Sequence, residues 1–186
     1  GLVIEEDGIF LSGWTFGGDS FMDIFILKTN LQGDTLWSNT WDGGENLYEH
    51  QDGQMVVDDS LIYCAGLYRG NANVLPSLSG FEGQAMLAKF DKNTGDYVAH
   101  VDWGYDGIWI EADNALGMTS DGTYLYVTGW VTPEANNHNL FLRKYDKDLN
   151  LIWEDEWGGT ITESARSVEV DEQGHIWIAG NTSSYG

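Results

Sequence analysis

The residues of this sequence that could do chemistry are acids lying between short apolar runs, several of them near an aromatic side chain. Carboxylates on loops are the hard oxygen ligands that calcium prefers. An aromatic ring beside hydrogen-bonding acids is what one face of a sugar requires. We therefore consider a calcium set, Glu49, Asp113 and Glu163, and a ligand-binding set, Tyr48, Glu49, Asp106, Trp109, Glu111, Asp113 and Glu163.

Catalysis by the same acids is a weaker interpretation. A hydrolase needs a positioned pair of acids, or a nucleophile with its base. Acids are so abundant here that finding a pair carries no information, and no Gly-x-Ser-x-Gly elbow, phosphate loop or zinc motif is present. The single cysteine, Cys64, lies in an apolar run and is expected to be a buried hydrophobic residue. We assign no catalytic residue.

The charge balance restricts the partners. Eight Lys and Arg residues stand against 30 Asp and Glu residues, a formal net charge of −22. Such a field repels phosphate backbones and anionic lipids, so nucleic acid is not an expected partner. No apolar run approaches the roughly 18 residues that a membrane span needs, so direct membrane insertion is not expected either. Cations, proteins and glycans remain as possible partners.

The elements that must position these acids form a repeat. Apolar runs end on a glycine at Gly13, Gly66, Gly129 and Gly180. A second signal, a lysine followed by a polar turn, recurs at Lys28, Lys89 and Lys144. Because internal repeats of 50 to 60 residues are typical of stacked β units, the chain is interpreted as an array.

Each repeat is predicted to contain four short strands, A to D. Runs of β-branched and aromatic residues are bounded by Gly, Asp and Asn, and no helical period is sustained. Four antiparallel strands per repeat describe a blade of an all-β propeller, with a small sandwich as the main alternative. The chain is treated as one segment, residues 1–186, with blades at approximately 1–41, 51–103, 113–157 and an incomplete one at 164–186.

Three and a half blades do not close a ring, since propellers usually have about 4 to 8. The expectation is therefore an incomplete propeller that is completed by further blades of the same chain or by another subunit. Open strand edges would otherwise invite pairing with other chains.

The repeat resembles the bacterial and archaeal β-propeller repeat family called SBBP. The resemblance rests on the Trp157-Gly158-Gly159 turn, on Ala165 and Asp171, and on the strand end Ala179-Gly180-Asn181-Thr182. It covers nearly the whole chain, although Asp42 intrudes before Gly43-Gly44 and Tyr105 follows Trp103-Gly104. The resemblance implies a secreted or cell-surface protein.

In such blades the B-to-C and D-to-A loops emerge at one end, and these are the longer loops here. We therefore expect a non-catalytic scaffold or recognition module that binds a protein or a glycan through this loop end. The alternative is part of a carbohydrate-binding or carbohydrate-active enzyme with an acidic pocket at the same end. Calcium is the candidate cofactor.

Overall fold

A computed structural model describes residues 1–16, 22–43, 48–69, 83–105 and 112–184. Across these ranges the regular secondary structure consists of strands with no helix, which confirms the predicted all-β class. The strands are β1 Leu2–Glu5, β2 Gly8–Phe16, β3 Met22–Thr29, β4 Thr35–Trp41, β5 Tyr48–His50, β6 Met55–Val57, β7 Leu61–Arg69, β8 Gln84–Asp91, β9 Tyr97–Trp103, β10 Asn114–Ser120, β11 Leu125–Glu134, β12 Asn137–Tyr145, β13 Leu151–Trp157, β14 Glu163–Val170 and β15 Ile176–Thr182.

The strands form four antiparallel sheets that follow one another along the chain. Sheet 1 has the order β1-β2-β3-β4, sheet 3 the order β10-β11-β12-β13, and sheet 4 is the pair β14-β15. In sheet 2, β5 and β6 pair with successive parts of β7, so that together they take the place of one edge strand before β8 and β9. Apart from the pairing of β5 with β7, every sheet is built from hairpins between strands that are adjacent in sequence.

One predicted loop contains a strand. The sequence places residues 42–51 in an acidic loop, whereas Tyr48, Glu49 and His50 pair with Arg69, Tyr68 and Leu67. The backbone hydrogen bonds of the β7 edge override the acidic local composition, because strand formation depends more on the neighbouring strand than on intrinsic propensity.

The glycine that recurs in the second strand is required because the first strand of the same sheet passes very close to it. In sheet 3 the register shifts between Ala115 and Gly117, opposite Gly129, and in sheet 4 it shifts between Ala165 and Ser167, opposite Gly180. A Cβ on Gly129 would collide with the carbonyl oxygen of Asn114, and a Cβ on Gly180 with that of Ser164. The bulge therefore needs a residue without a side chain at this point.

The cores lie between successive sheets. One apolar cluster joins sheets 1 and 2 around Phe10, Ile24 and Met86, and a second joins sheets 2 and 3 around Leu87 and Phe141. Tryptophans at the ends of the fourth strands cross these junctions. Trp41 stacks on Tyr97 with ring centroids 4.6 Å apart, and Trp103 meets Phe141 edge to face at 5.5 Å.

The first strands of all four sheets meet along one cleft. It has a volume of about 330 Å³, and its lining includes Leu2 of β1, Met55 of β6, Met118 of β10 and Glu169 of β14. Hydrogen bonds cross between neighbouring sheets here, for example from Thr119 Oγ1 to Glu169 Oε2 at 3.3 Å. The sheets are therefore arranged with their first strands together. The described residues include no helix that is long and apolar enough to cross a membrane.

Candidate functional site

Three of the predicted site acids occupy the same position in successive sheets. Glu49 pairs with Tyr68, and Glu163 pairs with Thr182, in each case two residues beyond the repeated glycine of the second strand. Asp113 directly precedes Asn114, whose partner is Trp130, and so lies at the equivalent level. Their side chains are buried, with exposures of 0%, 2% and 2% for Glu49, Asp113 and Glu163.

Each acid accepts a hydrogen bond from the loop that leads into its sheet. The backbone N–H groups of Gly43, Tyr105 and Gly159 donate to Glu49 Oε2 at 3.1 Å, Asp113 Oδ2 at 2.8 Å and Glu163 Oε2 at 2.6 Å. Each donor lies two residues after the tryptophan that ends the preceding sheet. We call this repeated contact the loop clasp.

The second oxygen of the carboxylate holds the end of the second strand in sheets 3 and 4. The N–H of Thr132 donates to Asp113 Oδ1 at 2.5 Å. Glu163 Oε1 accepts from the Thr182 hydroxyl at 2.9 Å and from the Ser184 N–H at 3.2 Å. Because a buried carboxylate is costly without donors, these contacts explain why an acid is tolerated there.

The equivalent acids differ in their protonation behaviour. Burial raises the pKa of Asp113 to about 6, against the lowering effect of its Tyr105 and Thr132 donors. Hydrogen bonds from Ser184, Thr182 and Gly159 instead lower the pKa of Glu163. One sheet position thus holds an acid that titrates near neutrality and another that stays ionised.

A group of three carboxylates at sheets 1 and 2 could hold a metal ion. Asp23 at the start of β3, Asp42 after β4 and Glu49 of β5 each offer an oxygen, and these oxygens lie within 4.8 Å of one another. Asp23 and Glu49 are buried and Asp42 is exposed. Calcium fits such a set because it takes carboxylate oxygens at 2.3–2.6 Å in flexible geometry.

The structure separates the three acids of the predicted calcium set. Glu49, Asp113 and Glu163 belong to sheets 2, 3 and 4 and clasp different loops, so they do not form one ligand group. Sequence reasoning missed Asp23 because it begins a strand that is otherwise apolar. An acid near the start of the third strand, where the other repeats have Gln84 and Asn139 in register, is the signal that could have indicated it.

Of the other residues in the predicted ligand-binding set, the structure describes only Tyr48. Tyr48 pairs with Arg69 through the backbone at the start of β5. Asp106, Trp109 and Glu111 lie outside the described residues, so the predicted ligand-binding role of these three stays a prediction.

A polar cleft lies at the loop end of sheets 3 and 4. It has a volume of about 530 Å³ and is lined by Pro133, Glu134, Asn137, Asn139, Gly158, Gly159 and Thr160. The Asn137 Oδ1 atom is buried and has no hydrogen-bond partner in the described part of the chain. His138, the next residue in the chain, stacks on Trp130 with ring centroids 5.9 Å apart. Glu163 borders the cleft through its hydrogen bond to Gly159.

No protein-family model matches this chain, and no curated protein matches it.

Proposed function

We propose that this chain is a propeller-type scaffold that presents a recognition surface at its loop end, without catalysis. Three features support a propeller rather than a sandwich. Sheets are built from consecutive hairpins, tryptophans pack between successive sheets, and the first strands of all four sheets line a common cleft. By its resemblance to the SBBP repeat, we propose a secreted or cell-surface location.

The observation that carries this proposal is the loop clasp. The acids that a hydrolase would use to activate water are engaged by backbone N–H groups of their own loops in three successive sheets. A carboxylate that orders a loop stabilises the surface formed by that loop, and a rigid scaffold with positioned loops is a common arrangement for binding.

The polar cleft at the loop end is the proposed binding site. Its amide and carboxylate side chains can exchange hydrogen bonds with hydroxyl groups, and the unpartnered Asn137 Oδ1 would accept one. This chemistry favours a neutral saccharide as the ligand, since the net charge of −22 disfavours anionic sugars.

A glycan array tests the proposal. The wild-type chain is expected to bind neutral glycans, and Thr160→Trp is expected to abolish that binding because the indole would fill the cleft. Gln32→Trp is the matched control, since Gln32 is an exposed turn residue at the opposite end of sheet 1. Unchanged binding by Thr160→Trp would overturn the proposed cleft.

Hydrolysis of the bound glycans separates this proposal from the carbohydrate-active alternative. The chain is expected to leave them intact over a long incubation. Turnover that disappears in Glu163→Gln would overturn the non-catalytic assignment. If no glycan binds and a protein partner is instead lost on Thr160→Trp, the loop end is a protein-recognition surface and the saccharide assignment is wrong.

A further inference from the structure

A histidine lies in the aromatic packing between sheets 1 and 2. The His100 ring of β9 has its centroid 4.7 Å from that of Tyr68 and 5.3 Å from that of Trp41, the tryptophan that ends β4. Trp41 and Tyr68 pack in turn against the buried apolar cluster that joins the two sheets, which includes Cys64. His100 is therefore a titratable group inside a packing interface, and neither the loop clasp nor the polar cleft uses it.

The two ring nitrogens of His100 have different neighbours. Nδ1 lies 2.9 Å from the hydroxyl oxygen of Tyr97, and Nε2 lies 3.7 Å from Asp102 Oδ1. The second distance is too long for a hydrogen bond, so Asp102 acts on the ring through its charge. A neutral imidazole can accept the Tyr97 hydrogen at Nδ1, whereas an imidazolium carries an N–H on both nitrogens and cannot accept it. Protonation of His100 would thus reverse or break the contact with Tyr97.

The next junction carries a permanent cation at the equivalent place. The Arg143 guanidinium carbon lies 4.8 Å from the ring centroid of Trp103, just as His100 lies beside Trp41. Each of these tryptophans ends the preceding sheet. The corresponding strand pairs, one residue before the repeated lysine of the third strand, are Ala88 with His100 in sheet 2 and Arg143 with Glu154 in sheet 3.

The permanent cation is compensated more closely than the histidine could be. Arg143 Nη2 lies 2.5 Å from Glu154 Oε2, and Nη1 donates to the Tyr145 hydroxyl at 3.3 Å. A charge in a packed interface is costly unless it has such ion-pair and hydrogen-bond partners. Among the described residues, the charged group beside His100 is Asp102, and its other neighbours present uncharged rings, those of Trp41, Tyr68 and Tyr97.

This environment sets the direction of the His100 pKa. Burial lowers the pKa from its ordinary value of 6.5, and the Asp102 carboxylate raises it by a smaller amount. The folded state therefore favours the neutral ring. Because a group with a lowered pKa in the folded state binds its proton more readily after unfolding, the stability that depends on neutral His100 is present above pH 6.5 and is lost as the pH falls below that value.

We propose that the junction of sheets 1 and 2 is an acid-sensitive element, in which protonation of His100 loosens the packing of Trp41 against sheet 2. The imidazolium loses its acceptor role toward Tyr97 and lies 3.7 Å from Asp102 Oδ1, without a close ion pair. Gly43, two residues after Trp41, makes the loop clasp with Glu49 across the same two sheets. Loosening of Trp41 therefore reaches the loop end, and the order of the loop after β4 depends on pH.

The Cys64 thiol is an internal probe of this junction. It is completely buried in the cluster between sheets 1 and 2, so a reagent reaches it when the sheets separate. Labelling by a disulfide reagent that reacts in acid is compared between the wild type and His100→Gln at each pH from about 7.5 to about 5.5. The ratio of the two rates cancels the pH dependence of the thiol chemistry. We expect equal rates at the upper end and at least about twofold faster labelling of the wild type at the lower end.

A second histidine supplies the matched control. His175 lies in a turn of sheet 4 with its side chain 69% exposed, so His175→Gln should keep the acid response of the wild type. Asp113 has a pKa of about 6 and also titrates in this range with the opposite sign, but it is present in all three chains. Equal acceleration of labelling in the wild type and in His100→Gln would overturn the proposal.

Hydrogen exchange shows whether the response is local. Relative to His100→Gln at the same acidic pH, the wild type should exchange faster in peptides that cover β4 and at the same rate in those that cover β12. Equal acceleration in both strands would indicate global unfolding and would overturn the proposal.

NMR of the His100 ring gives a test that needs no stable variant. The ring should titrate with a midpoint below 6.5, and the Trp41 indole signal should change over the same range. A midpoint at or above 6.5 would show that attraction of the imidazolium to Asp102 and to the aromatic rings outweighs burial, which also overturns the proposal.

Discussion

The carboxylate of Asp113 accepts a hydrogen bond from the backbone N–H of Tyr105 at 2.8 Å, across the loop that joins β9 to β10. The same carboxylate also accepts from the Thr132 N–H at the end of β11. One side chain thus fixes two backbone segments, and its counterparts in sheets 2 and 4 contact equivalent loops. The loop end of the molecule is therefore held by buried acids.

Loss of this side chain is expected to destabilise the protein. Asp113→Ala leaves the buried N–H of Thr132 and the part-buried N–H of Tyr105 without their acceptor, and the cost is about 2–4 kcal/mol in the free energy of unfolding. Urea denaturation followed by tryptophan fluorescence measures it. Asp148→Ala, a change in an exposed turn, is the control and should cost less than about 0.5 kcal/mol. Equal midpoints for the two variants would contradict the clasp.

The elevated pKa of Asp113 predicts a specific pH dependence. Its folded-state pKa of about 6 lies above the ordinary value of 3.8, so folding favours the protonated acid. The part of the stability that depends on protonation of Asp113 is thus fully present below pH 3.8 and is lost as the pH rises through about 6. Relative to Asp113→Asn, the wild type should become more stable as the pH falls through this window.

Carboxyl carbon NMR checks the same assignment directly. Asp113 should titrate near pH 6, and Glu163 should titrate below the ordinary glutamate pKa of 4.5. A normal aspartate titration at Asp113 would contradict its burial in solution.

Calcium is expected to stabilise the chain through the group at sheets 1 and 2. A cation between Asp23, Asp42 and Glu49 would offset the repulsion of three carboxylates whose oxygens lie within 4.8 Å of one another. Calcium at ten times its dissociation constant should raise the melting temperature by about 3 °C. Asp42→Asn should remove that increase, while Asp146→Asn, in an exposed turn, should retain it. An equal response of both variants, or none in the wild type, would contradict a calcium site here.

The Cys64 thiol should be inert in the folded protein. Its side chain is completely buried, and burial raises its pKa to about 12. Because the thiolate is the reactive form, labelling by a disulfide reagent should be negligible in buffer and rapid in 8 M urea. Fast labelling of the native chain would show that the interface of sheets 1 and 2 opens readily.

The sequence by itself determined the repeated strands, because that information is local. Alternating apolar residues, polar turns and the recurring glycine indicate β hairpins without knowledge of their neighbours. The predicted order of four antiparallel strands is the order observed in sheets 1 and 3. The packing role of Trp41 and Trp103 could also be predicted, since both recur at the ends of fourth strands.

Only the tertiary structure decided what the acids do. Glu49 and Glu163 are read from the sequence as loop residues, yet both lie in strands and are buried, because strand pairing and donors from separate segments set their environment. Asp23 and Asp42 meet Glu49 only when β3, β4 and β5 come together. Burial, register and hydrogen-bond partners arise from contacts between residues distant in sequence, and a local pattern does not record them.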